Sequence, residues 1–498
     1  MSTDCQAKNK DFFSLVFDLG TNNLKLAIFG QNGLVAAGRE SVRSAVTNQK
    51  IEVAGLQEIF LRAIKKLWQT AGKPPLQVIG GVGIMHGLAI FNSRERQFKD
   101  CYIYSNLEAG NQSHRLKKIS RTVYQKRGAP PSSAYGPEQA ALRNKKGELS
   151  SCLLYPSTAV LLGPLSNLPL EITKPALSHL GFLDLQSLKL NQPMLKFASL
   201  SEDNFATISK DFIVGKLDSR LGKKLGFASP HGEILLMDLG GDGLIIHELI
   251  DNPKIGSFKI ESTAVVRLET EKPVLEDINN GEIPVTWSYY HEPGRFIWGA
   301  ATNAGVLTLV DYLPPGLNPS LDFYSLNRQL EKELLSKGIP SVSTIGIGLP
   351  FSRGERAPGW VGKRPTGIRG RKPKSLMWQL YLWQEAVAFN LNQVVGKMKE
   401  VARDRKIKFP KAFFMTGATN YWPTWAKLQA LICQINLVKS EIEEPNLWGE
   451  ANRILKYFGR PTFKAKKGRV YRPETSKYPN FKNLSERYQF YLREYQKI

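Results

Sequence analysis

The chain has 498 residues, of which 42% are hydrophobic and 22% charged, and its formal net charge is +24 at pH 7. That length accommodates two or three domains with full cores, and the composition is that of a globular α/β protein. No apolar run reaches the ~18 residues that a membrane-spanning helix needs.

The opening "MSTDCQAKNKDFF" lacks an apolar run followed by a small-residue cleavage site, so export is not expected. Residues 15–40 alternate as a hairpin meander. Within "LVFDLGTNNLKLAIFG" (Leu15–Gly30), an acid, a small turn and a lysine sit between two buried strands. Gly20 lets the backbone approach a phosphate, and Thr21, Asn22 and Asn23 offer donors to its oxygens, with Lys25 beside them. A carboxylate there is costly next to phosphates unless a cation intervenes, so Asp18 would act through Mg²⁺ and its waters. The plainer alternative is a hairpin turn with a structural aspartate.

"LQEIFLRAIKKLWQTAG" (Leu56–Gly72) has apolar residues at three-and-four spacing and stops before Pro74–Pro75, which predicts an amphipathic helix. "LQVIGGVGIMHGLAIF" (Leu76–Phe91) reads as a buried strand, a glycine-rich turn and a second strand. A less regular region runs from Cys101 to about Leu200. "EILLMDLGGDGLIIHEL" (Glu233–Leu249) opens on another buried strand. From Ser375, a candidate cap, the strongest helix begins, with Met377, Leu380, Ala388, Leu391, Val395 and Met398 as its buried stripe. "KAFFMTGATN" (Lys411–Asn420) is a strand whose glycine turn opens the next helix, an order that offers backbone N–H groups to a nucleotide. The Asp-Leu-Gly after each of two buried strands, at Asp18 and Asp238, suggests an internal duplication between two halves.

Cys5, Cys101, Cys152 and Cys433 show no repeated spacing, which argues against a disulfide framework or a zinc site and fits a reducing, cytoplasmic setting. The charge concentrates in "GKRPTGIRGRKPK" (Gly362–Lys374) and in the tail from Lys464, where Arg and Lys alternate with Tyr and Phe. That tail is either a stacking surface for single-stranded nucleic acid or, the preferred reading, a solvated helix whose tyrosines pack on the body.

Taken in order, these stretches resemble the FGGY carbohydrate kinases, over about residue 14 to the end. "VGIMHGLAIF" (Val82–Phe91) is similar to the acceptor-sugar segment of the xylulokinase branch, matching at Met85, His86 and Gly87 but not at Val82 and Ile84. "ITKPALSHLGFLDL" (Ile172–Leu185) resembles a family segment, with Lys174 in place of an acid. "DLGGDG" puts Asp242 on the family's catalytic aspartate. "FIWGAATNAGV" (Phe296–Val306), "LPFSRGERAPGW" (Leu349–Trp360), "EAVAFNL" (Glu385–Leu391) and "TGATNYWPTW" (Thr416–Trp425) match C-terminal signatures.

The resemblance implies a mixed α/β fold of two actin-like (ribonuclease H-like) domains, 12–252 binding a sugar and 253–498 binding ATP, with a catalytic cleft between them. It implies ATP and Mg²⁺, with Asp242 as base, Asp18 at the metal, and Met85, His86, Gly87, Asn106 and Glu108 at the sugar. Gly20, Thr21, Asn22, Asn23, Lys25, Ser262, Thr263, Asn303, Gly417 and Ala418 would meet the nucleotide. Gly240 and Gly241 would let the acceptor come close. Asp238 is the runner-up for the base, although its place directly after the apolar strand points to a structural role, and Glu355 and Arg356 would brace the cleft. The partners are then a small sugar, with a ketose such as xylulose first, and ATP. No membrane is expected; nucleic acid is the lesser alternative and a homodimer is open.

The pattern breaks at four places. Asn106 and Glu108 in "YSNLEAG" replace an acid and an arginine. Glu261 and Ala264 in "IESTAVV" replace glycines of a phosphate hairpin, and a carboxylate there without compensation should repel ATP. A triple glycine is reduced to Gly417-Ala418-Thr419, and the helix after Asp242 becomes the bulkier "GLIIHEL". These changes keep a second reading open, a weakened or inactive relative that binds a sugar or a partner.

Overall fold

The computed structural model describes residues 12–497 apart from 48, 120–121, 168, 228–232, 277–282, 318–321 and 362–363. Cys5, most of the N-terminal stretch and the first two residues of the basic run at Gly362 lie outside the described residues. The meander is present as β1 (Phe13–Leu19), β2 (Asn23–Gly30) and β3 (Gly33–Ser41). Helix α1 (Val53–Thr70) follows, entered through the Glu52 carboxylate, which accepts from Ala54 N and Gly55 N. The next strand, β4 (Leu76–Gly83), contains the glycines that the sequence placed in a turn; the turn is the following Ile84–Gly87. Those glycines are packing positions: a β-carbon on Gly81 would collide with Phe17. With β5 (Ile213–Lys216) and β6 (Leu235–Gly241) the first sheet has the order β3-β2-β1-β4-β6-β5.

A second sheet is built from β7 (Ile255–Ile260), β8 (Ala264–Thr270), β9 (Trp287–Glu292), β10 (Arg295–Thr302), β11 (Ala412–Gly417), β12 (Asn436–Ser440) and β13 (Lys467–Tyr471). Its order is β9-β10-β8-β7-β11-β12-β13. Without β9, this repeats the pairing of the first sheet step for step: two antiparallel contacts, two parallel, one antiparallel. The internal repeat is therefore between sheets. The two Asp-Leu-Gly stretches are not its trace, since they lie on β1 and β6 of one sheet, either side of β4.

The region from Cys101 to Leu200 holds several short helices, and its strand Cys152–Pro156 completes a separate four-stranded sheet with Leu88–Asn92, Gln97–Tyr102 and Lys50–Ile51. Helix α2 (Ile246–Ile250) leaves the first sheet. Helix α3 (Leu376–Asp404) buries Leu380, Leu391, Val395 and Met398 against the second and Ala388 in the neighbouring core of the C-terminal helix, while Met377 is only half-buried. Ser375 occupies its cap position without a side-chain hydrogen bond. Helix α4 (Pro423–Cys433) follows the Gly417 turn. Helix α5 (Pro445–Tyr457) then returns to the first sheet, where Leu447, Ala451, Ile454 and Leu455 join Val16, Val78 and Met237 in one core. The C-terminal helix α6 (Lys482–Gln496) is the packed alternative read for the tail: Tyr491 is buried and Tyr488 and Tyr495 lie against the same core. Its Arg487 is locked to Glu385 of α3, both side chains fully buried. Two arginines of the basic run are also engaged, Arg364 with Glu355 and Arg369 with Glu494.

Candidate active site

Sheet pairing brings Asp18 and Asp242 together. Asp18 lies opposite Val82 of β4, and β6 runs along the other edge of β4, so Asp242 follows directly beyond it with its N–H donating to Gly83 O at 3.1 Å. Both acids stand at the carboxyl ends of parallel strands, where open α/β sheets take ligands. Asn446, at the start of α5, donates to Asp18 Oδ2 at 3.1 Å and to the Asp242 carbonyl at 3.2 Å. Burial pushes the Asp242 carboxyl up to about 6, with Lys259 opposing and Asp18 reinforcing the rise.

Asp238 has a structural environment. It accepts from Thr158 and Gly240 on one oxygen and from Thr173 on the other, at 3.0–3.2 Å. Gly240 and Gly241 do not open room for an acceptor. Gly240 takes φ +96°, and a β-carbon on Gly241 would collide with Met85 Sδ, so the pair fits Met85 against the strand end.

Two adjoining cavities occupy the cleft. The smaller, of about 180 Å³, is lined by Met85, His86, Tyr104, Asp242, Arg267, Trp287, Tyr289 and Arg356. The larger, of about 470 Å³, is lined by Asn22, Asn23, Lys25, Arg39, Gly417, Ala418, Glu444 and Asn446 among others. Gly20, Thr21, Lys259, Glu261 and Ser262 line both, so the two hairpin turns, Gly20–Asn23 and Glu261–Thr263, form the passage between them. Gly417 needs its identity: its φ is +78°, and a β-carbon would collide with the Ile260 carbonyl oxygen.

The charges across the passage are paired. Lys259 Nζ is 3.0 Å from Glu261. Glu261 is thus compensated, contrary to the sequence expectation; burial raises its carboxyl, but Lys259 outweighs this and holds it below its usual range. Lys25 lies 2.7 Å from Glu444 and 3.7 Å from Asp18. Burial would lower its ammonium, yet Asp18 and Glu444 together hold it well above its usual range. Arg39 pairs with Glu444 as well.

His86 sits at φ +63° with Nδ1 2.5 Å from the His179 carbonyl, so Nδ1 carries the proton and Nε2 is left as an acceptor. Burial lowers this imidazole to about 3 and keeps it neutral. Its ring meets Tyr135 and Tyr289 at 4.5 and 5.8 Å.

Of the residues singled out in the sequence, Met85, His86, Asp242 and Thr263 line the smaller cavity, and Asn22, Asn23, Lys25, Gly417 and Ala418 the larger. Gly20, Thr21 and Ser262 line both, and Asp18 stands behind Lys25 and Asn446. Four are not brought to either cavity. Gly87 packs against Ser157, where a β-carbon would come within 2.7 Å of Ser157 Cβ. Asn106 is buried and accepts from Glu108 N and Gln139 Nε2. Glu108 pairs with Arg143 at 2.6 Å and Lys146 at 3.5 Å, so the charge replacing an arginine is neutralised locally. Asn303 donates to the Arg353 carbonyl at 3.0 Å. Glu355 braces the cleft by joining Arg364 to Tyr495, whereas its neighbour Arg356 lines the smaller cavity. Lys259, Arg267, Trp287 and Tyr289 were not anticipated; a lone Lys and a lone Arg inside the buried strands of "FKIESTAVVRL" were the available signal.

No family model matches the chain, and no curated protein matches it by sequence. Solved structures match it over nearly its whole length. It is similar to a xylulose kinase from Lactobacillus acidophilus (17% identity, TM-score 0.79, covering 97% of this chain and 98% of that one). It is similar to a gluconate kinase from the same organism (16%, TM-score 0.80, 98% of both chains). A Plasmodium falciparum glycerol kinase with ADP also matches (13%, TM-score 0.75, 97% and 98%). At such identities the likeness is one of fold. This chain folds as a two-domain, actin-like α/β protein of the kind seen in sugar kinases.

Proposed function

We propose that the chain is an ATP-dependent carbohydrate kinase of the FGGY type, transferring the γ-phosphoryl group of ATP to a hydroxyl of a small sugar. The observation that carries the reading is Asp242, a carboxylate lifted to about 6, in a cavity of sugar size that opens between two hairpin turns into a larger one. The acceptor oxygen attacks the γ-phosphorus, the bond from that phosphorus to the β–γ bridging oxygen breaks, and ADP leaves. The hydroxyl proton goes to an Asp242 carboxylate oxygen. A base with a pKa near 6 is ionised at neutral pH yet basic enough to accept it. His86 Nε2 orients an acceptor hydroxyl, and Met85 and Trp287 give the pocket apolar walls. Thr21, Ser262 and the backbone of both turns bind the phosphates, and closure of the two walls excludes water.

Among the described residues no three His, Cys, Asp or Glu side chains gather as a metal cage. Mg²⁺ bound with a nucleotide needs only one or two carboxylates, the rest being waters and phosphate oxygens. Asp18 fits that need, since its charge already acts on Asp242 across the strand ends. The ion would neutralise charge building on the transferred group.

Met85 and His86 support a sugar acceptor; the ketose expectation loses the support of Gly87, which packs elsewhere. One observation favours the second reading, a weakened or inactive relative: Lys25, Arg39 and Lys259, the cations of the larger cavity, each already face a carboxylate. Coupled ADP release over a panel of ketoses, polyols and sugar acids, with Asp242→Asn alongside, decides between them. Turnover on one acceptor that is lost in the variant supports the kinase. Silence on every acceptor together with no ATP binding by calorimetry supports the inactive relative.

A further inference from the structure

The chain treats its buried arginines consistently, with one exception. Among the described residues the buried ones are Arg127, Arg143, Arg267, Arg453 and Arg487. Four are paired with carboxylates: Arg127 with Glu138, Arg143 with Glu108, Arg453 with Glu248 and Arg487 with Glu385. Arg267, only 8% exposed, has no such pair among the described residues; its Nε lacks a hydrogen-bond partner, as do those of Arg143 and Arg453, so the missing carboxylate is what sets it apart. A buried guanidinium without an anion is costly, so an anion is the missing component.

The place of Arg267 says where that anion binds. It is on β8, opposite Ser257 and Gly299, and its Nη2 reaches over Gly243, where a β-carbon would come within 2.7 Å. Its guanidinium is therefore beside Asp242 and lines the smaller cavity with Arg356, which likewise has no carboxylate partner among the described residues. Asp242 and Glu261 act on Arg267 through space, but they do not offset burial, which lowers the group to about 10. With Lys259 and Glu261 cancelling and His86 neutral, Asp242 and the two arginines leave the cavity one positive charge in excess. Neither arginine lines the larger cavity, so the anion is placed on the acceptor's side of the passage and not with the body of the nucleotide.

We propose that the acceptor is itself acidic, a sugar acid whose carboxylate is held by Arg267 and Arg356 while one of its hydroxyls faces Asp242. This rests on the kinase reading only in taking the smaller cavity as the acceptor's. A planar carboxylate matches the guanidinium fork, and about 180 Å³ suits a short acid better than one extended by a phosphate ester. The anionic chemistry is shared by both, so the test includes a sugar phosphate.

The test compares gluconate with sorbitol, xylonate with xylitol and xylulose, and glucose 6-phosphate as the phosphate arm, by ADP release and by ligand-induced thermal stabilisation. Wild type should prefer an acid over its neutral counterpart. Arg267→Gln should raise KM for the acid and cut kcat/KM roughly 10- to 150-fold, the worth of a charged hydrogen bond, with kcat changed less. Arg267→Lys should recover part of the loss, and Arg356→Gln, a second variant in case Arg267→Gln fails to fold, should reproduce its direction. Preference for xylulose or a polyol overturns the proposal, as does an Arg267→Gln defect confined to KM for ATP. Preference for glucose 6-phosphate overturns the carboxylate and keeps the anion. If no acceptor is turned over, stabilisation by the acids but not the polyols upholds the anion site while the kinase reading fails. No stabilisation by any acid overturns the proposal.

Discussion

Replacing Asp242 by Asn should abolish activity and stabilise the protein in one step. Burial lifts this carboxyl from 3.8 to about 6. The folded state therefore prefers the protonated form, and charging it at neutral pH costs the fold. At ~1.4 kcal/mol per tenfold change in proton affinity, the cost is on the order of 3 kcal/mol, an upper value because Asp242 keeps some contact with solvent. Since the folded pKa is the higher one, this group's stabilising contribution is complete below about 3.8 and lost as pH rises through about 6. The Asn variant, which never ionises, should match wild type in acid and exceed it above pH 6. Urea titrations at several pH values read the difference. Activity should move oppositely, with kcat falling by ~10²–10⁴ in the variant and wild-type kcat/KM falling about tenfold per pH unit below 6. A variant that keeps wild-type kcat, or that is less stable above pH 6, would refute this view of Asp242.

Glu261→Gln frees Lys259 for phosphate and removes a negative charge from the passage, so KM for ATP should fall by a factor of roughly 5 to 10; a rise would mean that Glu261 helps to hold the nucleotide. Gly417→Ala forces a side chain into φ +78° against the Ile260 carbonyl. It should cost on the order of 3 kcal/mol in chemical denaturation and weaken ATP binding by calorimetry. Glu385→Ala strands the fully buried Arg487, and a loss of about 3–5 kcal/mol is expected, read from the denaturant midpoint. An unchanged midpoint would show that α6 is held by its tyrosines alone.

Apolar runs and the Gly417 turn were legible because they are local: the meander, α1 and the long α3 follow from periodicity within single stretches, whereas the glycines of β4 serve packing and not a turn. The repeat of the two sheets was not, because it resides in strand order and not in matching letters, and the short Asp-Leu-Gly similarity pointed to two strands of one sheet. Asp18, Met85, His86 and Asp242 reach the cleft because each sits at or just past a strand end. Asn106 and Glu108 come from a segment that curls back on itself, with Asn106 accepting the Glu108 N–H at 3.0 Å. Asn446 and Glu444 reach Asp18 and Lys25 from more than 400 residues away, on a helix that crosses back to the first sheet. The mate of Glu261 was nearer to view: Lys259 lies two positions earlier, on the side that a strand presents in common. Arg267 is a lone charge within a buried strand, and its meaning rests on a non-local fact, that no carboxylate among the described residues pairs with it.

The proposed reaction is phosphoryl transfer from ATP to an acceptor hydroxyl in the smaller cavity. Phosphorus-31 NMR of the protein with ATP, Mg²⁺ and the acceptor panel observes that transfer directly. A new phosphomonoester resonance should grow one-for-one with ADP and be absent with Asp242→Asn. ADP accompanied by inorganic phosphate alone, or a spectrum that never changes, would contradict it.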